Sequence, residues 1–228
     1  LFAVWFQFIA SQVVAIVMLS TAISDEIYSK TLGLLMTTPI GSFQIVLGKL
    51  LSKLLQLILL LAITLPLLAI TRVFGGVPWG YLVCGLCVTF TTALFCGALS
   101  LFFSIFTRKA YTVVIAVILV AGALFAVVPL VSLLAFHRVV AERVILNALC
   151  YVNPYFTLGE ATESLVLART AAQVPWVAHC GVSLAGSTLL LFWATVFVRK
   201  TALRQAAGWQ PQVRRIWGRH RTAQDSEG

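Results

Sequence analysis

Charge is scarce in this chain. Of its 228 residues 10% are charged, only seven of them acidic, while 61% are apolar. A soluble domain carries about 25% charged residues, so too little polar surface is available to cover a globule in water. That shortage excludes a secreted domain, a cytosolic enzyme and an ordinary nucleic-acid binder. A phosphate loop is missing as well: Gly48-Lys49 has neither the upstream glycine nor the following hydroxyl residue that a G-x-x-x-x-G-K-[ST] cradle requires. Alternating ten-residue segments, the mark of a membrane β-barrel, are also absent.

What the chain does have is long uncharged runs. Leu1 to Ser24, Leu54 to Thr71, Val73 to Thr107 and Ala110 to Phe136 contain no charge, and Thr170 to Val198 carries only His179 as a titratable group. A helical span needs roughly 20 apolar residues, so each run holds one. Gly75, Gly76, Pro78 and Gly80 turn the start of the third run, which leaves Tyr81 to Phe106 as its helix. The expectation is an all-α, polytopic helical membrane protein. Its five spans fall near 2–23, 50–70, 81–106, 110–136 and 177–198, with a loop over 24–49, a further segment over 137–176 and a basic tail over 199–228.

Basic residues give the orientation. Lys30, Lys49, Lys53, Arg108, Lys109, Arg199, Lys200, Arg204, Arg214, Arg215, Arg219 and Arg221 lie on one side, against Arg72, Arg138, Arg143 and Arg169 on the other. Positive charge collects on the cytoplasmic side. The chain therefore belongs in the cytoplasmic (inner) membrane with its C-terminus inside. It begins at Leu1 without methionine and already reads as membrane helix, so a further span upstream is expected.

Candidate chemistry in the spans is thin. Cys84-Gly-Leu-Cys87 has redox spacing but lies in an apolar helix, where packing is the simpler role. His137 and His179 both fall near the outer face and have no carboxylate companion. Ser183 lies in Gly181-Val-Ser-Leu-Ala-Gly186, without nucleophile-elbow spacing, four residues from His179. The small pairs Ala93/Gly97 and Gly181/Ala185 suit close helix packing. No Asp, Glu, Lys or Arg lies inside the five uncharged runs, so no ionisable relay is available there to couple an ion gradient. Uphill transport would draw its energy from another protein.

The loop after the first span is the most informative stretch. Ser24, Asp25 and Glu26 suit a helix N-terminus, and Glu26 and Lys30 form an i,i+4 pair. A short amphipathic surface helix follows, stopped at Thr38-Pro39, before Ser42 caps the next helix. On periodicity alone this is an interfacial anchor. Residue by residue, however, Glu26, Thr31-Leu32-Gly-Leu34-Leu35, Thr38-Pro39-Ile40 and Ile45-Val-Leu-Gly48-Lys49 resemble the loop of type 2 ABC-transporter permeases. Lys30 departs from the family's usual glycine, and Ile27 from its usual basic residue.

The resemblance implies six spans with both ends cytoplasmic and a dimer with a second permease copy or paralogue. It also implies that Glu26 to Lys49 is a coupling helix docked on a separate ABC ATPase. That partner would hold ATP and Mg; this chain would bind no cofactor and no nucleic acid, and its role would be export or flipping rather than catalysis. The alternatives are an ATP-independent membrane scaffold and a nucleotide-independent permease, each with an anchoring loop.

In the outer segment, Val144, Ile145, Leu146 and Leu149 suggest a short helix, Asn153-Pro154 a turn, and Thr157-Leu-Gly-Glu160 a capping box opening a helix to about Thr170. The segment reads either as re-entrant helices or as an interfacial hairpin. Arg143, Glu160, Glu163 and Arg169 are its candidate outer-gate groups. Val213, Ile216 and Trp217 of the tail could touch lipid while Arg214, Arg215 and Arg219 meet phosphates.

Overall fold

A segment inside a bilayer must satisfy its own backbone hydrogen bonds, and a helix does so locally. The computed structural model describes residues 1–20, 42–107, 109–136, 142–167 and 174–208, and all regular structure among them is helical. The helices are α1 (Phe2–Ser20), α2 (Ser42–Gly75), α3 (Trp79–Ser104), α4 (Ala110–Gly122), a π-helical turn (Ala123–Val127), α5 (Val128–Phe136), α6 (Glu142–Val152), α7 (Pro154–Val166) and α8 (Trp176–Gly208). Five stretches among the described residues are long and apolar enough to cross a membrane: α1, α2 from Leu51, α3, Ala110–Ala135, and α8 as far as Val198. This is an all-α polytopic membrane protein.

Several ends differ from the pattern of uncharged runs. Arg72 does not stop the second span; α2 continues through it to Gly75, because the guanidinium at the helix end lies over the Trp79 ring, 3.9 Å from its centroid. The turn is shorter than the glycines suggest. Gly76 takes φ +63°, where a side chain would be strained, and α3 starts directly after Pro78, so Gly80 is helical. At its far end α8 runs ten residues past Val198, to Gly208.

Three spans run parallel. Along α1 and α3, Val4 meets Gly85, Leu19 meets Gly97, and Ser100 Oγ donates to Ile16 O at 2.8 Å. Along α3 and α8, Thr91 meets Cys180, Phe95 meets Gly186, and Leu101 and Ile105 pack with Ala194 and Val198. Span two returns antiparallel, with Leu57 against Ala15 and Ala93 and Leu68 near Val4 and Tyr81. Span four does likewise, with Val113 and Val117 against Ile16 and Leu99. The third span is the axis of the bundle: 67% of its window is buried, against 17% for the second, fourth and fifth.

Lipid offers helices no hydrophobic reason to associate, so close van der Waals approach has to do it. The α1–α3 seam is built for that. A Cβ on Gly85 would stand 2.8 Å from Val4 Cγ1, and one on Gly97 3.4 Å from Leu19 Cδ2. The Ala93/Gly97 pair is thus part of a helix contact. Gly181, by contrast, has no described atom within 4 Å of its would-be Cβ. Gly85→Ala is expected to cost about 1–3 kcal/mol by overpacking, and Gly181→Ala nothing. Thermal unfolding in micelles checks this, and equal melting of the two variants would contradict the seam.

Candidate functional site

Between α6 and α7 the chain reverses at Asn153. Its backbone is extended (φ −106°, ψ 117°), and its Oδ1 accepts from Tyr155 N at 2.9 Å. Pro154 occupies the first helical position, where no N–H is needed. The helix therefore starts a turn earlier than the Thr157-Leu-Gly-Glu160 pattern implies. Thr157 lies inside α7, and its hydroxyl donates to Cys150 O (2.7 Å) and Asn153 O (2.9 Å). Asn153 wins because proline at 154 forbids α6 from continuing through it.

The reversal meets a different span with each of its residues. His179 of α8 contacts Tyr151 O through Nδ1 at 3.1 Å. A carbonyl only accepts, so Nδ1 carries the proton; on the neutral ring Nε2 then accepts from Ser183 Oγ, 3.2 Å away. Asn153 Nδ2 donates to Phe125 O of the π-helical turn at 2.7 Å. Tyr155 O–H donates to Gln12 Oε1 of α1 at 3.1 Å. Further along α7, Thr162 Oγ1 receives Trp5 Nε1 (3.2 Å) and Tyr81 O–H (3.1 Å) while donating to Leu158 O. Gln12 and Phe125 lie toward the middle of their spans, so the α6–α7 tip enters between the spans instead of lying across their ends. Asn153 is 2% exposed there, as irregular backbone at such depth must be.

Beside this polar node lies a cleft of about 480 Å³. Ile9, Gln12 and Val13 of α1 form one wall; Ile118, Gly122 and Phe125 form the other; Cys96 and Tyr155 close it behind. Among the described residues no charged side chain lines it. Two buried carboxamides and one hydroxyl have atoms with no partner among the described residues: both amide atoms of Gln7, Nε2 of Gln12 on the cleft wall, and Thr92 Oγ1. Polar groups left so cost free energy, which a purely structural bundle would shed by substitution with leucine.

Of the residues singled out in the sequence, Glu26, Thr31, Leu32, Leu34, Leu35, Thr38, Pro39, Ile40, His137, Arg169 and the tail beyond Gly208 lie outside the described residues. Gly48 and Lys49 fall within α2, and Arg143 at the start of α6. Glu160 and Glu163 sit exposed on α7, apart from the node. Cys84 and Cys96 are free thiols, each 1% exposed within the packing core. The node's own members, Gln12, Asn153 and Tyr155, were not legible as a site. The available signal was the presence of Gln7 and Gln12 in an otherwise apolar span, where carboxamides are costly.

The Tyr155–Gln12 hydrogen bond tests the node directly. A double-mutant cycle of Tyr155→Phe and Gln12→Leu, read from unfolding in micelles, is expected to show a coupling of about 0.6 and at most about 1.7 kcal/mol. Strict additivity would mean that the two groups do not meet.

A family model described as ABC-2 family transporter protein matches residues 5–203, which takes in all five spans, the node and the cleft. No curated protein and no solved structure matches the chain. The chain belongs to the ABC-2 transporter family and is a multi-pass membrane permease subunit of an ABC transporter.

Proposed function

We propose that this permease moves its cargo outward through the cytoplasmic membrane by alternating access, driven by ATP held with Mg on a separate ABC ATPase. Two permease copies, or this chain and a paralogue, pair around the path, and the α1–α4/α5 cleft is this chain's share of it. The α6–α7 node faces outside, and the C-terminus lies in the cytoplasm. Work enters through Glu26 to Lys49, with Glu26 offering a charge-assisted contact and Thr38-Pro39 holding the corner stiff.

The observation that carries this reading is the continuity of α2. From Ser42, at the end of the loop, the helix is unbroken through Gly48 and Lys49 to Gly75, about 50 Å at helical rise. A displacement at Ser42 is therefore delivered along the second span as far as Pro66, whose missing N–H removes one bond of the ladder. The uncharged lining of the cleft among the described residues is consistent with a motor located elsewhere.

Co-expression with the cognate ABC ATPase tests the proposal. Glu26→Ala is expected to lower ATPase retained on the purified permease by about tenfold to a hundredfold, the equivalent of about 1.5–3 kcal/mol for a charge-assisted contact, and Pro39→Ala to lower it by a smaller factor through loss of the stiff corner. The melting of the spans should be unchanged. Full retention in both variants would assign the loop to anchoring and defeat the coupling role.

A further inference from the structure

Span four contains a backbone defect that another helix repairs. Pro129, the second residue of α5, has no N–H and therefore gives none to Phe125, four residues earlier. Just before it the helix widens: Val128 N–H bonds Ala123 O, a five-residue step, across the π-helical turn. Gly122, at the head of this turn, has no described atom within 4 Å of its would-be Cβ. Beyond the turn Val128, Leu130 and Val131 are all more than half exposed, while Pro129 is buried.

The missing donor arrives from the α6–α7 reversal. Asn153 Nδ2 stands 2.7 Å from Phe125 O, while its Oδ1 caps α7 through Tyr155 N at 2.9 Å. The carboxamide has one atom for each task, and both are in use. Phe125 and Gly122 also form the wall of the cleft. We propose that Asn153 is a positioning residue for transport: by supplying the donor that Pro129 withholds, it sets the bend of span four and thereby the width of the cleft. When the bond opens, residues 128–136 are free to swing about the Gly122–Pro129 segment. The proposal concerns span four itself, and the transport path enters only through its consequence for the cleft.

Hydrogen exchange of the full chain in nanodiscs, read by mass spectrometry, separates the two tasks of the carboxamide. Asn153→Ser keeps a capping oxygen but has no N–H to offer Phe125. It is expected to speed exchange over 123–136 about fivefold to tenfold, the worth of one hydrogen bond, and to leave α3 unchanged. Pro129→Ala restores a helical N–H to Phe125 O, so the P129A/N153S double variant should return to within about twofold of the parent. Should Asn153→Ser fail to fold alone, recovery of folded protein in the double variant is the same result. Unchanged exchange over 123–136, a rise spread equally through α3, or no recovery with Pro129→Ala would each reduce Asn153 to a helix cap and overturn the proposal. These readouts do not involve the ATPase, so loss of the coupling role at Glu26 and Pro39 would leave this result standing, and the reverse.

Discussion

Close approach of α1 and α3 at Gly85 and Gly97 is the contact on which the other helices depend. In lipid the gain from association comes from atoms in van der Waals contact, and glycine lets two backbones come near enough to make many of them. Neighbours fill the grooves this parallel pair forms: Leu57 of α2 lies beside Ala15 and Ala93, and Val113 and Val117 of α4 lie beside Ile16 and Leu99. The third groove face takes α8. Widening the seam would loosen every one of these contacts.

The α6–α7 hairpin builds on the same seam. Its apolar side seats Leu158 and Ala161 among Phe8, Leu82 and Val88, and Tyr155 stacks edge-on against Phe8 with centroids 5.1 Å apart. Tyr155 also lies 5.9 Å from Phe125, which in turn lies 6.1 Å from Phe95. Aromatic contacts place the tip, and the hydrogen bonds to Gln12, Phe125 and His179 fix its orientation. The cleft owes its back wall to that placement. Its walls offer shape and a few uncharged polar groups, with no charged side chain among the described residues that line it.

Spans were readable in the sequence because an uncharged run of this length has few alternatives to a helix in a bilayer. The surface-loop motif at Glu26 to Lys49 pointed to the family for a different reason, since its residue types are specific along its length. Ends were harder. Arg72 reads as a boundary by charge, yet a helix end beside Trp79 holds it. Thr157 reads as a cap, yet Asn153-Pro154 starts the helix before it. The node escaped notice because its members meet from α1, α4/α5, α7 and α8, and no spacing along one segment records such a meeting. His179 illustrates the point: as a lone histidine it carries no message, and only the nearness of Tyr151 O and Ser183 gives its ring a tautomer.

The lengths of the connections restrict which helices are able to part. Three residues, 76–78, join α2 to α3, a reach of at most about 10 Å, so those two helices stay together at the hairpin end. Five residues, 105–109, keep α3 and α4 together at the opposite end. No direct link ties α1 to span four. They touch at Ile16, Val113 and Val117 and diverge from there toward the hairpin. In a bundle tethered in this way the contact of α1 with span four, at Ile16, Val113 and Val117, is one that no short connection holds, and Tyr155 is what bridges Gln12 and Phe125 beyond it.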